Sequence, residues 1–399
     1  MIELLAPAGN IEKLKTAFYY GADACYFAGK KYGLRAFSDN FDESELEEYI
    51  AYAHKLGKKA YITVNIIAHN KDFDGLKEYI EYLKKIGADA VIVADIGIAY
   101  FIKKNVPDMT IHISTQANIT NIHSAKFFED FGVDRLILAR ELSLEEIEQI
   151  RKALDPKVEL ESFVHGAMCI SYSGRCLLSN YFAGRESNAG ACVQACRWEY
   201  AICEKSRNGQ YYPIEEDERG TYILNSKDLC MINHLPKLID AGVTSFKIEG
   251  RMKSSYYVAC VVNAYRRAIN EVLAGKKEIS SYLYDEVLKA SHRNYTTGFY
   301  FPNENKECIE SSYPIQNSEF VAIVTESSKD GWIKVEQRNR FKVGDELEIL
   351  SPGDCFNKKF VVEQIKNLNN EDIDDAKNVQ EVLYVKCPYN LNEMDILRR

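Results

Sequence analysis

Along the first three quarters of the chain, short apolar runs alternate with amphipathic stretches. Eight of these runs, at 3–7, 24–28, 60–65, 90–95, 110–114, 135–140, 159–164 and 245–249, are the right length for strands. Runs such as AVIVAD and RLILAR are apolar at successive positions instead of alternating, as a parallel strand covered on both faces requires. Helices are therefore predicted between them. The junctions agree: Gly21, Gly87, Gly132 and Gly242 each stand where a helix would end, just before an apolar run. Ser143 with Glu146 offers a capping box to the helix that follows. Eight β/α alternations over about 250 residues predict an α/β fold, a TIM-barrel-like (β/α)8 domain, with a doubly wound open sheet as the alternative.

Two stretches break the alternation. Residues 167–230 form a long insertion between the seventh and eighth strands. Within it, 166–197 reads as a loop rich in Gly, Ser and Cys, and 198–204 with 221–225 reads as a β-hairpin around a polar turn containing Asn208-Gly209. After residue 310 the runs FVAIV, WIKVE, ELEIL, FVVEQI and EVLYVKC follow one another without helices between them, which predicts a small antiparallel β-barrel. The expected division is a barrel domain over 1–310 and a C-terminal domain over 311–399.

At 399 residues and 46% hydrophobic, the chain has enough apolar material for a large core and a second, smaller one. The formal charge of -9 excludes a surface that binds polyanions throughout, so a nucleic-acid partner would need a local basic patch. The opening MIELLAPAGN has no signal-peptide pattern, and no apolar run approaches the roughly 20 residues that span a bilayer. A soluble, cytoplasmic protein with no membrane partner is expected. An odd count of 11 cysteines without a secretion signal argues against a disulfide framework and for reduced thiols.

Four of the cysteines, Cys169, Cys176, Cys192 and Cys196, fall within 28 residues of the loop, spaced C-x6-C-x15-C-x3-C. Thiolates are soft ligands for zinc or iron-sulfur clusters, and four on a flexible loop can wrap a metal centre that orders the loop in return. Paired CxxC zinc knuckles are absent, as is the CxxxCxxC arrangement, so zinc is less favoured though spacing alone leaves it open. The bland alternative is that they are small buried side chains, which is the better reading for Cys25, Cys203, Cys260, Cys308, Cys355 and Cys387.

The segment ESFVHGAMCISYSGRCLLSNYFAGRESNAGACVQACRWEY, at 161–200, resembles the signature of the collagenase-like peptidase U family. LLAPAGN at 4–10, YILNSKDL at 222–229, SFKIEGRMKS at 245–254 and HRNYTTGFY at 292–300 extend the resemblance over most of the chain. The short C-terminal domain and SYSGRCLLS are most similar to the branch that hydroxylates the wobble uridine of tRNA. The resemblance implies an iron-sulfur cluster, 4Fe-4S, on Cys169, Cys176, Cys192 and Cys196, with Cys230 as the alternative fourth ligand. It also implies prephenate as co-substrate and a tRNA anticodon loop as partner.

In a barrel the active groups sit at the C-terminal ends of strands, here Asn65, Asp95, Gln116, Arg140, His165, Glu249 and Arg251. His165 is a candidate general base or hydrogen-bond donor, against the bland reading of a structural histidine. Glu249 and Arg251 join it as catalytic candidates, although Glu249 is read first as the ion-pair partner of Arg251. Lys247, Lys253, Arg175 and Arg185 are candidates for binding carboxylates or phosphates, and Gln116 and Tyr172 for binding substrate; solvated surface charge is the alternative for the cations. Tyr172, Tyr181 and Trp198 are candidates for stacking an unpaired base. The competing functions are a peptidase, for which neither HExxH nor GxSxG is present, and an RNA-binding protein whose metal only ties the loop down.

Overall fold

The computed structural model describes residues 2–33, 41–169, 171, 178, 193–194, 227–302 and 315–399, together with the backbone of 201–203 and 211–213. All eight predicted strands are present: β1 (Glu3–Pro7), β2 (Ala24–Phe27), β3 (Lys59–Val64), β4 (Ala90–Val93), β5 (Ile111–Ile113), β6 (Arg135–Ile137), β7 (Glu159–Ala167) and, after the insertion, β11 (Ser245–Ile248). Each pairs in parallel with the next, and β11 pairs with both β7 and β1, so the sheet closes into an eight-stranded parallel barrel. The open-sheet alternative is excluded by that closure.

Helices α1 (Ile11–Tyr19), α2 (Glu43–Lys55), α3 (Leu76–Lys85), α4 (Ile96–Asn105), α5 (Ile122–Asp130), α6 (Leu144–Ala153), α7 (Leu235–Asp240) and α8 (Ser255–Leu273) follow the strands, and α9 (Ser281–Val287) follows α8. The capping box of Ser143 and Glu146 opens α6 as expected, and Asp42 with Glu45 makes a second one at α2. The four junction glycines all adopt positive φ, the conformation that ends a helix without a Cβ penalty.

Within the insertion, β8 (Ala201–Cys203) pairs antiparallel with β9 (Tyr211–Pro213). The predicted hairpin is therefore shorter, with its second limb at 211–213; the limb expected at 221–225 lies outside the described residues. The chain then returns as β10 (Asp228–Cys230), antiparallel to the end of β7, and β12 (Tyr295–Thr296) pairs in parallel with β10.

Compactness divides the chain differently from a cut near residue 310. One unit comprises residues 1–11, 23–252 and 292–315; the other comprises 12–22, 253–291 and 316–399. In the second unit an antiparallel sheet of eight strands, with 320–329, 332–337 and 382–386 at its centre, buries Val321, Val324, Ile333, Val335, Leu383 and Leu397. The same unit contains α1, α8 and α9. There Tyr20 donates its hydroxyl to the carbonyls of Leu350 and Met394, and Tyr256 stacks on Phe320. Glu286 of α9 grips Arg398 with both oxygens, at 2.6 and 2.8 Å. Among the described residues no helix is long and apolar enough to cross a membrane.

Candidate functional site

Side chains on a strand alternate sides, so in β7 Glu159, Glu161 and Phe163 share one face, and in β11 Ser245 and Lys247 do; beyond them the β7–β11 register shifts, with Ile248 opposite His165. These faces turn inward. Barrels of this class usually fill their interior with branched apolar side chains, but here the lower layers are ionic. Arg135 of β6 donates to Glu3 at 2.5 Å, to Glu159 at 2.7 Å and to Glu161 at 3.0 Å. Ser245 and Tyr61 also donate to Glu3, at 2.8 and 2.6 Å. Above them, Lys247 donates to the other oxygen of Glu161 at 2.7 Å and lies 4.4 Å over the ring of Tyr26.

Burial alone would push the Glu3 carboxyl up, but the Arg135 guanidinium and three donated hydrogen bonds outweigh it and hold the group below the usual carboxylate range. Burial would likewise lower Arg135, yet Glu161 and Glu3 raise it. Burial, reinforced by Arg135, Lys247 and Lys59, pushes His112 well below the usual histidine value, so that ring is neutral.

The ladder ends at the C-terminal mouth of the barrel. Tyr26 donates its hydroxyl to the Ile248 carbonyl at 3.0 Å and to Glu249 at 3.3 Å. The Glu249 amide donates to the His165 carbonyl at 2.8 Å. Gly166 sits beside this bond with φ 111°, and a Cβ there would lie 2.5 Å from the Glu249 carbonyl oxygen. His165 itself is 1% exposed, its Nε2 3.4 Å from the hydroxyl of Tyr295. Arg140 donates to the Ala167 carbonyl at 2.9 Å and covers the Phe163 ring. Asn65 donates to the Gln116 carbonyl oxygen at 3.0 Å. Arg251 is buried just past β11.

The structure thus brings His165, Glu249, Arg140, Asn65 and Gln116 to strand ends at one mouth, and Cys169 follows β7 there, exposed. Three expectations change. Lys247 is committed to Glu161 inside the barrel, so its ammonium is not offered to a substrate anion. Lys253 belongs to the second compact unit, where it donates to the Ser291 carbonyl and covers the Tyr257 ring. Asp95 is the N-cap of α4, accepting from the Ile98 amide at 3.0 Å. Tyr172, Arg175, Arg185, Cys176, Cys192 and Cys196 lie outside the described residues, as do Tyr181 and Trp198. Cys230 is buried and pairs across the sheet with His165.

Sequence reasoning missed Glu161, Arg135, Tyr26, His292 and Tyr295. The signal for the first was present: acidic and basic residues at every second position of otherwise apolar strands mark an interior that has to be neutralised. A polar cavity of about 330 Å³ opens at the opposite, N-terminal mouth, lined by Lys59, Tyr61, His112, Arg135 and Lys157 among others. None of the residues expected to carry chemistry lines it, and the N-terminal face of such barrels usually serves stability.

The family model described as peptidase family U32 matches residues 9–310, and that of the peptidase family U32 C-terminal domain matches 316–398. tRNA hydroxylation protein P1 of Bacillus subtilis is 37% identical over 100% of this chain and 94% of its own length. tRNA hydroxylation protein P of Escherichia coli is 39% identical over 98% of this chain and 94% of its own. The 23S rRNA 5-hydroxycytidine C2501 synthase of Escherichia coli is 35% identical over 76% of this chain and 46% of its own.

Proposed function

The chain belongs to peptidase family U32, and from that membership we propose that it is a cytoplasmic RNA-modifying enzyme, a prephenate-dependent hydroxylase that converts the wobble uridine of tRNA to 5-hydroxyuridine. The observation that supports this reading most is the similarity, over the full chain, to proteins named for tRNA hydroxylation. In this reading Cys169, Cys176, Cys192 and Cys196 hold an iron-sulfur cluster, with Cys230 as the alternative. The described part of that set fits: Cys169 is exposed four residues past His165, at the mouth where the polar side chains gather. When bound, such a cluster supplies an iron centre for electron transfer or for polarising an oxygen ligand.

The chain's own residues supply the rest. Arg251 and the loop arginines Arg175 and Arg185 are assigned to the carboxylates of prephenate and to RNA phosphates, since guanidinium binds both in bidentate fashion. His165 is assigned to proton transfer at the mouth. Glu249, fixed by Tyr26, orients the end of β7 through the hydrogen bond its backbone N–H donates to the His165 carbonyl. Lys247 takes no part in binding and holds the interior in register.

A peptidase working through a cysteine would need a thiol with lowered pKa. At Cys25, Cys260 and Cys387 burial acts the other way: it raises Cys25 well above the usual value, and pushes Cys260 up to about 12 and Cys387 up to about 11.

The test is twofold. Anaerobically purified protein should be brown and contain iron and sulfide, and Cys176→Ala should lose both; colourless protein with one equivalent of zinc rejects the cluster. Nucleosides from cells lacking the protein should be depleted in wobble 5-hydroxyuridine, and unchanged levels reject the substrate.

A further inference from the structure

The motif HRNYTTGFY spans residues 292–300. In the structure its rings are packed against the candidate site. His292 and Tyr295 stack with centroids 4.6 Å apart and planes at 15°. Tyr295 lies 5.3 Å from the His165 ring and meets its Nε2 through the hydroxyl. These residues stand where β10 and β12 extend the sheet beyond the end of β7, with Cys230 opposite His165 and Leu229 opposite Thr296.

The orientation of His292 is fixed. Its Nδ1 is 2.6 Å from the Arg293 carbonyl oxygen. A carbonyl only accepts, so Nδ1 carries the hydrogen, and in the neutral ring Nε2 is left as a lone pair. The residue is 3% exposed, and Nε2 has no hydrogen-bond partner. Buried polar atoms are nearly always satisfied, and an orphan beside a candidate active site calls for a ligand that supplies the missing donor. An imidazole whose other nitrogen is anchored on a backbone carbonyl is prepared for that role.

Resting on the uridine reading above, we propose that Nε2 of His292 accepts a hydrogen bond from the N3–H of the target uracil and makes the site choose uridine over cytidine. Uracil carries a hydrogen on N3, whereas cytosine presents a lone pair there. Two lone pairs facing each other repel, and both stay unsatisfied, which is how a site built around one hydrogen bond rejects an analogue. Carbon 5, the position modified, lies on the other edge of the ring and stays open to chemistry. Seating the base requires the groups that now cover Nε2 to turn aside, a side-chain adjustment common on binding.

The test measures dissociation constants of the full-length protein for three anticodon stem-loops that differ only in the wobble base: uridine, N3-methyluridine and cytidine. Wild type should bind uridine about tenfold more tightly than either of the others, the worth of one buried hydrogen bond. His292→Ala should bring the three within about twofold, with iron content unchanged, and His292→Gln, which keeps an acceptor, should restore part of the preference. Equal binding of all three loops by wild type overturns the proposal, and so does preference retained in His292→Ala or iron lost with the histidine. Should His292→Ala fail to fold, the N3-methyluridine comparison in wild type decides alone. Failure of the functional reading shows separately, as normal wobble 5-hydroxyuridine in cells lacking the protein.

Discussion

Glu161 is 0% exposed and holds Arg135 with one oxygen and Lys247 with the other, so it binds together cations from two strands. Replacing a buried ion pair by apolar groups can be neutral, but removing one partner strands the other charge and costs about 3–5 kcal/mol. Glu161→Ala should therefore lose roughly that much stability in urea denaturation, and a variant within 1 kcal/mol of wild type would show the cage to be slack. Glu3 adds a pH dependence. Its carboxyl is held below the ordinary value of 4.5, so the stabilisation is fully present above that pH and is lost as pH falls through the folded-state value. The urea midpoint should drop on acidification below about pH 4.5, and the drop should be shallower in Glu3→Gln. Lys247 was misread from sequence because its partner is 86 residues away. Its alternation with Phe246 and Ile248 nonetheless gave away its inward face, and Glu159 and Glu161 gave the matching charge.

The eight barrel strands were legible because each is a continuous apolar run bounded by helix-ending glycines and caps, a local signal. The hairpin of the insertion was only half legible. Its first limb falls inside the predicted stretch, but pairing register depends on turn geometry that composition does not fix. Helix caps and substrate contacts also look alike in sequence, which is why Asp95 was taken for a site residue. Asp95→Ala should cost about 1 kcal/mol in thermal unfolding, the usual worth of an N-cap, and leave RNA-modifying activity per folded molecule unchanged. Gly166→Ala is expected to be harsher. Its φ of 111° strains any side chain, and the new Cβ would strike backbone of Glu249. A fall in melting temperature together with lost activity is the expected result; a neutral variant would mean that the β7 and β11 ends can separate freely.

Whole-molecule organisation was the least legible level. A change of composition near residue 310 is visible in the sequence, but nothing local announces that 12–22 and 253–291 group with 316–399. Within that unit α8 is buried along most of its length, and Arg267 donates to the carbonyls of Ser351, Pro352 and Gly353. A chain ending at residue 315 should thus leave α1 and α8 without their partners and be recovered in aggregates. A soluble, monomeric product of that length would show the C-terminal piece to be dispensable.

The bond between Tyr19 and Asp395 spans 376 residues of chain. During synthesis the first helix leaves the ribosome long before its destination exists, and at roughly 5–20 residues per second it waits tens of seconds. Its apolar residues Leu14, Ala17 and Phe18 lack their native cover for that time, a window in which the nascent chain lies open to whatever meets it at the exit tunnel.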